Sequence, residues 1–89
     1  FEISNSNCLD LFAGTGSLGI EALSRDAKKV LFVELNKTNY TLIAANIKSL
    51  DLKASAKVLF KDAFTWVRQG DLSEFDFIFL DPPFNKEYE

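Results

Sequence analysis

Short apolar runs alternate with segments of helical spacing along the whole of this 89-residue chain. The apolar runs predict strands, and the segments between them predict helices. A strict alternation of this kind folds into a parallel sheet with right-handed crossovers, and open sheets of this type commonly adopt the strand order 3-2-1-4. We therefore predict an α/β fold with that order. The predicted strands are Asn7 to Phe12, Lys29 to Glu34, Ala56 to Phe60 and Asp76 to Leu80, and the predicted helices are Ser17 to Arg25, Lys37 to Leu50 and Phe64 to Gln69.

A glycine motif of the form G-x-G-x-x-G, made by Gly14, Gly16 and Gly19, follows the first predicted strand. Such glycines allow a tight turn and let a ligand approach the backbone closely, and the next helix offers unpaired amide donors at its start. Alone, the pattern also fits a plain strand-to-helix turn. Glu34 favours a ligand site, because it follows Gly14 by about 20 residues, where nucleotide-binding α/β domains place a carboxylate for ribose hydroxyls.

A second motif follows the fourth predicted strand. The run from Phe77 to Leu80 is apolar throughout, which predicts a strand buried on both faces. Asp81, Pro82, Pro83 and Phe84 come next, and the two prolines prevent further ladder pairing. A carboxylate, a rigid corner and an aromatic ring at a strand tip suit a planar base that carries an exocyclic amine. A surface turn is the alternative interpretation.

The predicted strand order brings these features to one edge of the sheet. Gly14 and Asp81 follow the first and fourth predicted strands, which lie side by side in the order 3-2-1-4. Glu34 and Asp62 follow the other two strands. Ligands of open α/β sheets bind at this carboxyl edge, so the row predicts one functional site rather than scattered surface acids.

Two kinds of cofactor use the glycine motif and Glu34. A dinucleotide dehydrogenase gives no function to Asp62 or Asp81, and it usually has an apolar residue where Asp10 stands. S-adenosylmethionine gives each of these residues a function. Asp10 can meet the ammonium of the methionine portion, and Glu34 the ribose hydroxyls. Asp62 can accept from the adenine amine, with the Ala63 amide nearby.

Three stretches together resemble the RsmD family, and the resemblance covers nearly the whole chain. They read D-L-F-A-G-T-G-S-L-G-I-E-A-L-S-R from Asp10 to Arg25, F-V-E-L-N from Phe32 to Asn36, and F-L-D-P-P-F from Phe79 to Phe84. Members of this family are class I methyltransferases that use S-adenosylmethionine to methylate guanine N2 of small-subunit ribosomal RNA. The resemblance implies a Rossmann-like class I fold, of which residues 1–89 form only the amino-terminal and central part.

The resemblance also implies a set of site residues. Those expected to act on the target amine are Asp81, Pro82, Pro83 and Phe84. Those expected to bind S-adenosylmethionine are Asp10, Phe12, Ala13, Gly14, Gly16, Gly19, Glu34, Leu35, Asp62 and Ala63. The implied partner is ribosomal RNA, either the small subunit or its assembly intermediate. Related enzymes with similar motifs modify adenine N6 or cytosine N4, and a non-catalytic nucleotide-binding module is a further alternative.

Composition narrows the remaining possibilities. The net charge of −3 gives no general attraction to nucleic acid, so an RNA substrate requires a local basic patch or residues outside this chain. The absence of histidine excludes histidine-based chemistry, and no metal site is predicted.

A single cysteine fits a reducing compartment, and no run is long enough for a membrane span. We expect a cytoplasmic protein, monomeric at full length, of which this chain is an internal portion.

Overall fold

The computed structural model of the chain describes residues 2–80. Strands and helices alternate throughout, in the sequence β1 (Asn7–Leu11), α1 (Ser17–Ser24), β2 (Lys29–Glu34), α2 (Lys37–Ser49), β3 (Ala56–Phe60), α3 (Ala63–Gln69) and β4 (Phe77–Leu80). The strands pair in parallel in the order β3-β2-β1-β4. The predicted fold class and strand order are confirmed. Because β1 and β4 are neighbours, Leu80 at the end of β4 lies beside Leu11 at the end of β1.

The ends of several elements differ from the prediction by one residue, each for a local reason. β1 ends at Leu11 because Phe12 has a φ of +56° and turns the chain out of the sheet. α1 and α2 each end one residue early, and left-handed Asp26 and Asp51 follow their caps. α3 begins one residue early, at Ala63, because the preceding residue caps it.

Two apolar clusters cover the two faces of the sheet. The cluster beneath α1 and α2 contains Phe32 and Ile43, which are wholly buried. The cluster beneath α3 contains Leu9, Leu11 and Val33. Successive residues of a strand point to opposite faces, so β1 and β2 contribute to both clusters and form the centre of the fold.

The prediction that β4 is buried on both faces is wrong for residues 2–80. Phe77 and Phe79 pack against the first cluster, but Ile78 and Leu80 are 43% and 62% exposed. They lie beside Leu9 and Leu11 on the face that α3 covers elsewhere, and neither belongs to the apolar cluster beneath α3. Within residues 2–80, no helix is both long and apolar enough to cross a membrane.

Candidate cofactor site at the carboxyl edge of the sheet

A cleft of about 430 Å³ lies between the carboxyl ends of β1, β2 and β3. It is large enough for a nucleoside-sized ligand. Six of the predicted site residues line it, namely Phe12, Gly14, Glu34, Leu35, Asp62 and Ala63. The structure therefore brings together residues from three separate parts of the sequence, as the strand order predicted.

A second cleft, of about 470 Å³, lies at the opposite edge of the sheet. Exposed lysines such as Lys28 and Lys53 line it, and no predicted site residue does. Although this cleft is slightly larger, the carboxyl-edge cleft is the better candidate. It holds the chemistry-bearing side chains and lies where open α/β sheets bind ligands.

Glu34, the last residue of β2, is buried at the wall of the carboxyl-edge cleft, with 8% of its surface exposed. Its carboxylate accepts hydrogen bonds from two backbone amides, at 2.6 Å from the Gly14 nitrogen and 2.8 Å from the Asn36 nitrogen. One bond holds the glycine loop and the other holds the turn into α2. The remaining lone pairs of the same oxygens are the acceptors available to ribose hydroxyls.

Asp10, in β1, is 1% exposed and lies beneath the glycine loop. Its carboxylate accepts a hydrogen bond of 3.1 Å from the Gly19 amide in the first turn of α1. The N-cap of α1 is Gly16, which has no side chain for this purpose, so a carboxylate from the neighbouring strand performs the capping. A negative charge at this position also stabilises the helix amino terminus.

Two of the three motif glycines are required for packing. A Cβ built on Gly19 would lie 2.1 Å from a ring carbon of Phe32, and one built on Gly16 would lie 2.9 Å from Ile43. Gly16 also has a φ of +83°. Neither glycine lines the cleft, and neither do Asp10 and Ala13. They shape the loop from below, and their contact with a cofactor remains a prediction.

Asp62, half-buried at the end of β3, caps α3. Its carboxylate accepts from the Phe64 amide at 3.3 Å and from the Thr65 hydroxyl at 2.9 Å. Because each carboxylate oxygen has more than one lone pair, this capping leaves acceptor capacity that an adenine amine can use.

The structure adds four residues to the cleft that the sequence analysis did not select, namely Val33, Asn36, Asn39 and Lys61. Asn36 caps α2 by accepting from the Asn39 amide at 2.9 Å. Lys61 directly follows the end of β3. Its position after a strand was a usable signal, whereas the inward placement of Asn39 depends on how α2 packs.

The predicted residues of the second motif, Asp81, Pro82, Pro83 and Phe84, lie outside the described residues. The structure does fix the strand that precedes them. Asp81 is the next residue after Leu80, which pairs with Leu11 at the foot of the glycine loop.

This architecture is that of the class I S-adenosylmethionine-dependent methyltransferases, to which its structural neighbours conform. A match to the family described as Conserved hypothetical protein 95 covers residues 1–89. The chain belongs to this family, which is the RsmD family that the sequence motifs resemble.

Individual relatives agree with this assignment. The ribosomal RNA small subunit methyltransferase D of Haemophilus influenzae is 46% identical over 85 residues, which cover 93% of this chain and 44% of that protein. A solved candidate methylase of the same organism superposes with a TM-score of 0.85 at 44% identity, covering 97% of this chain and 55% of the other. A candidate methyltransferase of Escherichia coli gives the same TM-score at 33% identity, covering 94% and 46%. The chain thus spans about half the length of these relatives.

Proposed function

We propose that this chain is the amino-terminal and central part of a domain that transfers a methyl group from S-adenosylmethionine to guanine N2 of small-subunit ribosomal RNA. The observation that carries the proposal is the convergence of Gly14, Glu34 and Asp62 on one cleft. The name of the Haemophilus influenzae relative supports the RNA substrate.

The cleft suits the three parts of S-adenosylmethionine. Glu34 offers acceptors for the ribose hydroxyls, and Asp62 with the Ala63 amide offers an acceptor and a donor for adenine. The glycine loop would admit the methionine portion, with the buried carboxyl group of Asp10 beneath it. S-adenosylmethionine would use the glycine loop, Glu34 and Asp62, whereas a dinucleotide gives no function to Asp62.

The residues after β4 would act on the target amine. Bound S-adenosylmethionine would supply a methyl group whose bond to sulfur breaks as the bond to nitrogen forms, which leaves S-adenosylhomocysteine and releases one proton from the amine. The guanine amine is a weak nucleophile because its lone pair is delocalised into the ring. Asp81 and the Pro82 carbonyl would accept from its N–H groups and draw the nitrogen toward a tetrahedral geometry. Phe84 would stack on the base once it has left its helix or loop.

The test is methylation of ribosomal RNA by the full-length protein, with the modified nucleoside identified by mass spectrometry. The proposal expects N2-methylguanosine. Methylation of adenine N6 or cytosine N4 would replace the guanine assignment while keeping the enzyme class. The absence of any transfer would favour a non-catalytic nucleotide-binding module.

A variant separates binding from chemistry. Asp81→Ala should lower the methyl transfer rate by about 100-fold or more, because its partner is the target amine and its contribution grows toward the transition state. Cofactor affinity should stay within a few-fold of the wild-type value. Asp71→Ala is the matched control, since Asp71 is exposed and does not line the cleft. If the Asp81 variant transfers methyl groups at a near wild-type rate, Asp81 acts only as a turn residue at the end of the strand.

A further inference from the structure

Phe12 has a backbone conformation that its residue type disfavours. Within residues 2–80, the non-glycine residues with positive φ are Asn5, Asp26, Asp51 and Phe12, the last at +56°. Asn and Asp tolerate the left-handed region because their short polar side chains bond locally, whereas a bulky residue does not. An outlier of this kind persists only where the surroundings hold it, and such outliers cluster at functional sites.

The surroundings of Phe12 include an aromatic partner on a different element. Its ring meets the ring of Phe64 edge-on, with centroids 5.1 Å apart and planes at 65°. This is a favoured geometry for an aromatic pair. Phe12 also packs against the apolar cluster beneath α3, whereas Phe64 is 61% exposed. The ring of Phe12 is therefore fixed to the first turn of α3.

The backbone of Phe12 determines where the glycine loop begins. Immediately after it, the Ala13 amide donates to the Val33 carbonyl at 3.2 Å. The Gly14 amide then donates to Glu34 at 2.6 Å. A change of φ at Phe12 would move both amides away from β2. The left-handed turn at Phe12 thus sets the direction in which the glycine loop crosses the cleft.

We infer that Phe12 is a positioning residue, whose contact with Phe64 holds the left-handed turn and so couples α3 to the glycine loop. The two ends of the cofactor cleft are then linked physically, since Asp62, which caps the helix turn that carries Phe64, lines one end and Gly14 lines the other. This inference rests on the proposed function, because it assigns the cleft to S-adenosylmethionine.

Two substitutions at position 12 distinguish positioning from simple wall contact. Phe12→Leu keeps the energetic cost of the left-handed backbone but removes the aromatic contact with Phe64. Phe12→Gly removes both the cost and the contact. In the full-length protein, S-adenosylhomocysteine should bind most tightly to wild type, then to Phe12→Gly, and about tenfold more weakly still to Phe12→Leu. A plain apolar wall gives the reverse order for the variants, because leucine covers more surface than glycine. A leucine variant that binds as tightly as the glycine variant overturns the inference.

Phe64→Leu tests the coupling without altering position 12. It should weaken S-adenosylhomocysteine binding several-fold in the wild-type background and cause little further loss in the Phe12→Gly background. Equal losses in both backgrounds contradict the coupling. Melting temperatures of the unliganded variants at position 12 should follow the same order as the affinities. If wild type binds no S-adenosylhomocysteine, the proposed function fails, and the melting order alone decides the function of Phe12.

Discussion

The carboxylates at the tips of the inner strands differ from the one at the tip of the edge strand β3. Asp10 and Glu34 are 1% and 8% exposed, and each accepts a backbone amide of the glycine loop or of α1. Among residues 2–80, Asp62 is half-buried and its carboxylate bonds only within the first turn of its own helix α3. All three carboxylates are predicted to contact the cofactor. Asp10 and Glu34 nevertheless join separate elements of the fold, whereas Asp62 stabilises only one helix turn.

The comparison shows where the fold and the site depend on the same atoms. On the inner strands, a carboxylate that we predict to contact the cofactor also holds the glycine loop or the start of α1. On the edge strand, the carboxylate stabilises a single helix turn. Substitutions at the inner tips should therefore affect stability and binding together, whereas substitutions at the outer tip should affect mainly binding.

Glycine substitutions give the largest expected effect. Gly19→Ala should lower the free energy of unfolding by about 3 kcal/mol, because its Cβ would overlap the buried ring of Phe32. Gly70→Ala at the end of α3 is the control. The nearest atom there is 3.4 Å from a new Cβ, so the change should be small. Denaturant unfolding of both variants measures the difference, and equal stabilities would mean that the first turn of α1 is not tightly packed against Phe32.

Aspartate-to-asparagine changes give the next largest effect. Asp10→Asn should cost about 2 kcal/mol of unfolding free energy, since it weakens the buried hydrogen bond that the side chain accepts from the Gly19 amide. Asp62→Asn should cost under about 0.5 kcal/mol, because asparagine caps helices as well as aspartate does. Thermal or chemical melts provide the comparison. A costlier change at position 62 would reverse the distinction between inner and outer tips.

Much of this arrangement could be predicted from the sequence, because it follows from local pattern and chain topology. The bounds of β2 and β3 and the strand order agree with the prediction, and the order alone gathers Gly14, Glu34 and Asp62. The side-chain partners could not be predicted. That Asp10 caps α1 depends on the three-dimensional approach of a strand to a helix.

Two further features of the structure differ from what the sequence favours, for the same reason. A left-handed Phe12 is disfavoured by its residue type, so only its tertiary contacts explain it. The prediction that β4 is buried on both faces fails because an apolar run shows what can be buried but not what covers it. Ile78 and Leu80 have the right composition for a core, yet neither belongs to the apolar cluster beneath α3.

The most direct test of the central claim is calorimetric titration of the full-length protein with S-adenosylhomocysteine and with NAD. We expect the protein to bind S-adenosylhomocysteine and not NAD. Glu34→Ala should weaken S-adenosylhomocysteine binding by at least about tenfold, since a hydrogen bond to a charged group contributes ~1.5–3 kcal/mol. Glu21→Ala, at an exposed position on α1, should leave the affinity unchanged. NAD binding as tight as that of S-adenosylhomocysteine, or a Glu34 variant with wild-type affinity, would contradict the assignment of the carboxyl-edge cleft.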